Sequence, residues 1–434
     1  MKKCVALLLT LVMLLSLMAC QKTAGTTDPT QASEQPASAN PEDAASAAGT
    51  QTEISFITWR AEDSDTLKEM IAAFEKENPD IKVNLEITST DETEYYTVLK
   101  SRLISGEGAD VMNVHVGSRL NDLVNAGYML ELDGTGLADT LEPSFLDSGS
   151  YNGKLYGLLQ TYNSFALYYN ADLFDELGIT VPTDYTSLLE AVQKSKDAGY
   201  MPVAAGLADG WTNALVYGPL FANYGKTDSN IAHKLETGEA KITDEPYVSI
   251  YGDFQQMVDD EIFQDNAAGT GYDASISLFA SGKATMLVNG TWSIGSIKAM
   301  NEDIRIGLAR FPAIHTDSCG VISPSQLLCI NAKGKNIEAS KRFAAFMLSA
   351  ESETMYCNGT SQASTVVGTQ VDVPELDQVQ QLISGESALY LTVKMENPKV
   401  ESILTSCAGR LLNHEDLTTV LEEAQQEIDS LIAE

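Results

Sequence analysis

The sequence predicts an α/β protein of two domains, and three observations lead to this prediction. Patterns typical of strands and of helices alternate along the chain, which indicates a mostly parallel sheet with helices on its faces. The composition changes sharply at Gln51, where the folded body begins. About 384 of the 434 residues remain from there, more than the ~250–300 residues at which a single core usually divides.

The folded body opens with a strand–helix–strand pattern. Residues 54–59 are rich in β-branched and aromatic side chains, which favours a strand. Across 67–74 the apolar residues recur at i, i+3, i+4 and i+7, the spacing of a helix, and Asn78-Pro79 would end it. Apolar and polar residues then alternate across 81–87, as in a half-buried strand.

The alternation continues toward the C-terminus. Further predicted strands cover 110–116, 164–169, 201–205, 284–288, 304–308 and 326–330. Further predicted helices cover 93–104, 120–124, 184–199, 343–347 and 417–431. We interpret the apolar stripe of the last helix as core packing rather than as a surface for a membrane or a partner.

Residues 1–20 have the layout of a secretory signal peptide. Lys2 and Lys3 precede an apolar run of about 16 residues, short of the roughly 20 that a membrane-spanning helix needs. Ala19 is the small residue expected at a cleavage site, and Cys20 after it resembles a bacterial lipobox. This resemblance implies that Cys20 carries a lipid such as palmitate and becomes the mature N-terminus. The alternative is an uncleaved membrane anchor, and both place the body outside the cytoplasm.

Residues 21–50 predict a disordered tether. They contain no Val, Ile, Leu, Met or aromatic residue. Such a stretch cannot bury enough apolar surface to offset its ordering entropy. As a random coil it would reach about 30 Å, which would let the folded body move over the membrane and meet a partner there.

The composition argues against several classes of function. The chain has 61 acidic and 27 basic residues and a net charge of −34, which opposes binding to nucleic acid or to an anionic membrane surface.

Six cysteines are too few for a disulfide scaffold, and neither they nor the four histidines have the spacing of a metal site. Phosphate-binding, dinucleotide and nucleophile-elbow motifs are missing from the sequence, so we expect no cofactor and no metal. The remaining question is whether the cysteines beyond the leader form disulfides or stay as buried thiols: Cys319, Cys329, Cys357 and Cys407.

Several segments together resemble one family. Residues 105–111 resemble its short turn into a strand, although Ala109 stands where the family usually has proline. Residues 123–132 resemble its next helix and turn, and residues 167–174 resemble a further segment of the same family. The most specific segment, 279–292, reads Phe-Ala-Ser-Gly-Lys-Ala-Thr-Met-Leu-Val-Asn-Gly-Thr-Trp. In this order and spacing they resemble the extracellular solute-binding proteins of ABC importers, in the carbohydrate-binding family related to maltose-binding protein.

The resemblance implies a fold like that of type II periplasmic binding proteins. Two α/β lobes would face each other across a ligand cleft and be joined by a hinge. The N-terminal lobe would hold residues 51–164 and 309–348, and the C-terminal lobe residues 165–308 and 349–434. Ligands of open α/β sheets lie beyond the carboxyl ends of the strands, and an interface between lobes favours a pocket.

The tryptophans are the first candidates for ligand contacts. A sugar presents hydroxyls and apolar C–H faces, so its site needs aromatic platforms among polar side chains. Trp59, Trp211 and Trp292 all fall at strand ends or in loops. The resemblance implies a stacking aromatic at Trp292 and ligand contacts in the loop of Trp211. For each tryptophan the alternative is a place in a core or on a lobe surface.

Polar candidates follow from position and from the resemblance. Glu62 lies in the loop after the first strand, and its alternative is a solvated carboxylate. His115 ends the strand that begins at Asp110, and its alternative is a structural histidine. Asn163 precedes the first crossing between the lobes, and its alternative is an asparagine that forms a turn. The other candidates are Asp209, Ser361 and Gln362.

The resemblance implies the substrate-binding component of an ABC transporter. The protein would be a monomer, lipid-anchored at the extracellular face of the membrane. It would capture a carbohydrate, expected to be an oligosaccharide, and deliver it to the permease subunits. It would not be an enzyme. The alternatives are the same fold binding another solute, such as a polyamine or a metal chelate, and a cell-surface glycosidase, which needs two carboxylates at a set separation.

Overall fold

The computed structural model describes residues 51–88 and 92–433. The predictions of a signal peptide, of lipidation at Cys20 and of a tether lie outside these residues. Within the described ranges, no helix combines the length and the apolar character that crossing a membrane requires.

Strands and helices alternate along the described chain, so the predicted α/β class is confirmed. The strands are β1 Thr52–Thr58, β2 Ile81–Ile87, β3 Val111–His115, β4 Ser150–Tyr151, β5 Lys154–Leu155, β6 Gly157–Leu159, β7 Thr161–Asn163, β8 Phe165–Asn170, β9 Met201–Ala204, β10 Ala284–Gly290, β11 Ile306–Ala309, β12 Gly320–Pro324, β13 Gln326–Ile330, β14 Ala363–Ser364 and β15 Ser387–Leu389. The helices are α1 Ser64–Glu77, α2 Glu92–Ser105, α3 Ser118–Asn125, α4 Ala171–Leu177, α5 Tyr185–Asp197, α6 Ala214–Gly225, α7 His233–Thr237, α8 Tyr247–Asp259, α9 Tyr272–Ala280, α10 Ile294–Met300, α11 Ile337–Met347, α12 Ala350–Thr360, α13 Pro374–Ile383, α14 Pro398–Leu412 and α15 Leu417–Ala433.

The first sheet has five strands in the order β2-β1-β3-β13-β6. β1 runs parallel to β2 and β3, whereas β13 runs antiparallel to both of its neighbours. The apolar face of α1, at the predicted helical spacing, packs with β1 and α11 in one core. Within this core the rings of Phe56 and Phe343 meet edge-on at 5.6 Å.

The second sheet has four strands in the order β11-β8-β10-β9. β8 runs antiparallel to β10 and β11, and β9 runs parallel to β10. The prediction of a mostly parallel sheet is therefore wrong here, and in the first sheet too only two of the four strand pairings are parallel. Strand direction depends here on long connections between β8 and its partners, and strand propensity does not encode those connections.

A third sheet, in the order β14-β7-β12-β15, joins the other two, and we call it the joining sheet. β7 lies between β6 of the first sheet and β8 of the second, separated from them by Gln160 and Ser164. β12 continues through Ser325 into β13 of the first sheet and pairs with β7, with Ser323 opposite Asn163. The chain thus passes between the two main sheets here, so a movement of one main sheet relative to the other acts on this region.

The limits of the two lobes stay a prediction, and the packing of α12 bears on them. The prediction assigns residues 349–434 to the C-terminal lobe. Tyr356 and Cys357 of α12 share a core with Phe56 and Phe343 on the first-sheet side. α14 and α15 pack instead with α8 in the core of the second sheet. We therefore propose that α12 belongs to the N-terminal lobe and that α14 and α15 belong to the C-terminal lobe.

The four cysteines of the described chain, at positions 319, 329, 357 and 407, are free and buried. Burial raises the pKa of Cys407 to about 12, and it raises the pKa of Cys329 as well. The thiolate is the reactive form of cysteine, so these side chains behave as small apolar groups of the core.

Candidate functional site

Three aromatic rings meet on the second-sheet side, and we call Trp211, Tyr272 and Trp292 the aromatic cluster. Trp292 Nε1 donates a hydrogen bond to the hydroxyl oxygen of Tyr272 at 2.8 Å. The rings of Trp211 and Tyr272 lie 5.1 Å apart between centroids. Asp209 Oδ2 accepts a hydrogen bond from the Tyr272 backbone N–H at 2.7 Å. The structure thus brings three predicted site residues together around a tyrosine that the sequence analysis missed.

The rings of the aromatic cluster stand at the ends of second-sheet elements. Trp211 lies in the short 3-10 helix Gly210–Asn213, between β9 and α6. Trp292 lies two residues after Gly290, the last residue of β10. A Cβ atom on Gly290 would lie 2.0 Å from the Trp292 ring, so glycine is required for the indole to fold back over the backbone. Phe165, at the start of β8, meets the Trp292 ring edge-on at 5.6 Å.

The Tyr272 hydroxyl is held by two neighbours. Besides accepting the hydrogen bond from Trp292, its oxygen lies 2.9 Å from Ser293 Oγ. Burial raises the pKa of Tyr272 to about 12, and the negative charge of Glu62 adds to the increase. The phenol is therefore protonated at physiological pH. Because Glu62 follows β1, its influence on Tyr272 indicates that the loop after β1 comes close to the aromatic cluster.

A buried ion pair organises the loop after β1. Arg60 is 6% exposed. Its guanidinium donates to Asp63 from Nε at 2.7 Å and from Nη2 at 3.2 Å, and Glu62 Oε1 lies 3.3 Å from Arg60 Nε. Two carboxylates thus compensate one guanidinium. The side chain of Glu62 is 36% exposed, whereas Asp63 is buried. A ligand contact by Glu62 stays a prediction.

Two further predicted residues, Trp59 and His115, stack on each other on the first-sheet side. Their ring centroids lie 4.0 Å apart at an interplanar angle of 17°. Tyr95 meets Trp59 edge-on at 5.1 Å, and the Tyr96 hydroxyl lies 3.1 Å from His115 Nδ1. We call this arrangement the Trp59–His115 stack. It gives the first-sheet side an aromatic surface of its own, with His115 supporting one face of Trp59.

The remaining predicted residues are buried at the joining sheet. Gln362 is fully buried and Asn163 is 2% exposed, and Asn163 Nδ2 donates to Gln362 Oε1 at 3.4 Å. Ser361 ends α12 in a left-handed conformation, with φ of 55°. A ligand contact by any of the three stays a prediction. In this structure the polar groups of Asn163 and Gln362 contact protein atoms.

Two cavities lie away from all of these residues. One, of about 200 Å³, lies between α6 and β15 and is lined in part by Phe221, Lys226 and Leu389. The other, of about 380 Å³, is formed by segment 132–155. Neither cavity is lined by a predicted site residue. Within residues 51–88 and 92–433, no three His, Cys, Asp or Glu side chains form a group that could hold a metal ion.

Known proteins resemble this chain over most of its length. Residues 60–354 match the family described as bacterial extracellular solute-binding protein. The multiple sugar-binding protein of Streptococcus mutans is 28% identical over 326 residues, which cover 74% of this chain and 76% of that protein. The melibiose/raffinose/stachyose-binding protein MelE of Bacillus subtilis is 23% identical over 319 residues, which cover 71% of this chain and 72% of that protein.

Solved structures share the fold. The solute-binding protein RafE in complex with raffinose superimposes with a TM-score of 0.76 at 22% identity, covering 88% of this chain and all of that one. A sugar transporter protein of Bacillus licheniformis in complex with stachyose gives a TM-score of 0.72 at 17% identity, with coverage of 88% and 100%. The predicted two-lobed type II fold is therefore confirmed. Since the family match spans more than half of the sequence, the chain belongs to the bacterial extracellular solute-binding proteins.

Proposed function

We propose that this protein is the substrate-binding component of an ABC transporter and that it captures an oligosaccharide between its two lobes. The observation that carries the proposal is the aromatic cluster, in which Trp211, Tyr272 and Trp292 are held together beside the carboxylate of Asp209. The relatives named above support it, because both are named for sugars.

The chemistry of the two aromatic regions suits a sugar. The faces of tryptophan and tyrosine rings fit against the apolar C–H faces of a pyranose ring. The hydroxyl groups of a sugar need donors and acceptors, and Glu62 and Asp209 would accept hydrogen bonds from them. The Trp59–His115 stack adds a second platform on the first-sheet side. Two platforms suit a ligand of more than one sugar ring.

Binding would couple to a movement of the lobes about the joining sheet. A ligand shifts the equilibrium between the open and the closed arrangement of the lobes only as far as it binds one of them better than the other. A sugar that contacts Glu62 on one side and the aromatic cluster on the other would favour the arrangement in which the two lie close together. Hinge closure of this kind would enclose the sugar for delivery to the permease.

The anchor is a separate part of the proposal. We propose that a lipid on Cys20 and the tether 21–50 hold a monomer at the extracellular face of the membrane, beside its permease. The lipobox-like sequence supports this, and the family is extracellular. Labelled palmitate should attach to the wild type and not to Cys20→Ala when both are made in a bacterium that processes lipoproteins. Equal labelling of the two proteins would contradict the anchor.

Isothermal titration calorimetry tests the ligand. The panel would contain melibiose, raffinose, stachyose and chitin oligosaccharides, with glucose and galactose as single-ring controls and putrescine as a polyamine. We expect one-to-one binding of at least one oligosaccharide, tighter than that of either monosaccharide. Binding of putrescine but of no sugar would contradict the proposal. Release of nitrophenol from nitrophenyl glycosides would show an enzyme instead of a pure binding protein.

A further inference from the structure

A continuous chain of hydrogen bonds runs through buried side chains at the joining sheet. It begins at Asp63, in the loop after β1, which accepts a hydrogen bond from the Tyr356 hydroxyl at 2.5 Å. Gln362 Nε2 donates to the Tyr356 hydroxyl oxygen at 3.4 Å. Asn163 Nδ2 in turn donates to Gln362 Oε1 at 3.4 Å.

The same chain of hydrogen bonds ends beside the aromatic cluster. Thr291 Oγ1 donates to Asn163 Oδ1 at 3.3 Å and accepts a hydrogen bond from the Ser164 backbone N–H at 2.9 Å. The Thr291 backbone N–H donates to the Ser164 carbonyl at 2.8 Å. Thr291 immediately precedes Trp292. One buried network therefore connects the loop that carries Glu62 with the turn that carries Trp292.

Gln362 lies at the centre of this network. Its side chain is fully buried. Its Oε1 also accepts hydrogen bonds from Thr161 Oγ1 at 2.9 Å and from Ser325 Oγ at 3.4 Å. These partners come from β7 and from the residue that links β12 to β13, where the chain passes between the main sheets. The amide of Gln362 thus bonds neighbouring protein atoms in this structure.

The lengths of the hydrogen bonds differ along the network. At the Asp63 end they measure 2.5 Å to Tyr356 and 2.7 Å to Arg60 and are charge-assisted. The successive links from Tyr356 through Gln362 and Asn163 to Thr291 measure 3.3–3.4 Å, longer than the usual hydrogen-bond range, and are therefore weak. A small movement shortens or breaks such links. The hydrogen bonds of the network are thus strong in the loop after β1 and weaker where the chain passes between the two main sheets.

We propose that Gln362 is a positioning residue that holds the turn of Trp292 at a fixed position relative to the loop of Glu62. It thereby sets the affinity of the cleft for sugar without contacting the sugar. The part that concerns affinity rests on the proposed function. A primary amide suits this role because it donates to Tyr356 and accepts from Asn163 at the same time. Methionine has a similar length, but it donates no hydrogen bond and its sulfur accepts only weakly.

The first test needs no sugar. The chain has three tryptophans, so 5-fluorotryptophan gives a simple ¹⁹F spectrum in which Trp292→Phe assigns one signal. We expect Gln362→Met to shift or broaden the Trp292 signal. The matched control is Gln378→Met, which removes a partly buried glutamine that bonds the backbone of β11 outside the network and should leave that signal unchanged. A folded Gln362→Met protein with an unchanged Trp292 signal would overturn the proposal.

The second test measures the affinity for raffinose by calorimetry in Gln362→Met, in Thr291→Val and in the double variant. Each single change should weaken binding about tenfold, and the double change also about tenfold, because both interrupt one path. A double variant weakened about 100-fold would show two independent effects and contradict the proposal. So would a Gln362→Met protein that melts at a lower temperature but binds raffinose as the wild type does, since a purely structural role gives that result.

The outcomes separate this inference from the proposed function. If the wild type binds no sugar of the panel, the sugar assignment fails and the ¹⁹F signal alone decides the positioning role. If it binds another sugar of the panel instead of raffinose, that sugar replaces raffinose in the double-variant test. If Gln362→Met does not fold, Thr291→Val breaks the next link of the network, and an unchanged Trp292 signal in that variant contradicts the proposal equally.

Discussion

The two sides of the candidate site hold their aromatic rings by different means. On the second-sheet side a hydrogen bond fixes Trp292 to Tyr272, a phenol with a pKa of about 12 that stays unchanged near neutral pH. On the first-sheet side Trp59 stacks on the imidazole of His115, with 4.0 Å between the ring centroids. The comparison teaches that a directed hydrogen bond orients the indole on one side, whereas ring stacking supports it on the other.

The first-sheet side also carries a buried carboxyl group that responds to pH. Glu353, on α12, is fully buried. It accepts hydrogen bonds from Gln160 Nε2 at 3.2 Å and from Ser364 Oγ at 3.4 Å, and both of these partners are neutral. Burial raises the pKa of Glu353 from 4.5 to about 8. The folded protein therefore holds a proton there that the unfolded chain has released at neutral pH.

We expect the largest effect from Glu353→Gln, in the pH dependence of stability. Because the folded pKa exceeds the unfolded one, the stabilisation is complete below about pH 4.5 and is lost as the pH rises through about 8. The loss would amount to a few kcal/mol. Denaturant unfolding at pH 5, 7 and 8.5 should show this loss in the wild type and a smaller one in the variant. Glu351→Gln, exposed on the same helix, is the control. Identical profiles for wild type and Glu353→Gln would contradict the role of this carboxyl.

Trp292→Ala should have the next largest effect, now on the second-sheet side. Loss of an aromatic platform should weaken the binding of raffinose by about 1–3 kcal/mol. Calorimetry measures the affinity, and circular dichroism checks the fold. Trp59→Ala makes the same change on the first-sheet side and shows which platform contributes more. An unchanged affinity in a folded Trp292→Ala protein would remove Trp292 from the site.

Tyr272→Phe sharpens the comparison by keeping the ring and removing its hydroxyl oxygen. The Trp292 N–H then loses its acceptor, which should lower the raffinose affinity or the unfolding free energy by about 1 kcal/mol. Calorimetry and thermal melting would separate the two effects. Tyr151→Phe is the control, because its hydroxyl accepts a hydrogen bond from Asn125 away from the cluster. If both variants behave alike, the hydrogen bond does not fix the platform.

His115→Phe should have the smallest effect on affinity, less than about 1 kcal/mol, since an aromatic ring still supports Trp59. Its signature is spectroscopic. Replacing the imidazole that stacks on Trp59 should shift the ¹⁹F signal of fluorinated Trp59 relative to the wild type. His414→Phe, at an exposed position, should leave that signal unchanged. An unchanged Trp59 signal in His115→Phe would contradict the supporting role of the imidazole.

Local features of the site are predictable from sequence, and long-range ones are not. α1 and α15 bury the residues that helical spacing selects, because the period belongs to the segment itself. The turn of Trp292 is contiguous in sequence and is predictable for the same reason. Tyr272 escapes prediction because its contact with Trp292 spans 20 positions. Its one local signal is a tyrosine at the first turn of a helix, which marks no site by itself.

The burial of the polar candidates depends on the topology. Asn163 and Gln362 are 199 positions apart, and they meet because β7 pairs with both β12 and β14. No pattern within either segment predicts that pairing. α14 is a different case. Asn397 caps it, Pro398 opens it, and its apolar residues follow at helical spacing. Its sequence therefore carries the signals of a helix, although no helix is among the predicted elements there.

The free, buried thiols have a consequence for how such a protein can be made and used. With no disulfide to form, the described body needs no oxidant to complete its fold, so oxygen-free surroundings and a reducing cytosol serve equally well. The interior also offers little thiolate to a maleimide. A cysteine added at the rim of the cleft would therefore be labelled by a dye in preference to the four buried thiols. The labelled protein would become an optical sensor for whatever its lobes enclose.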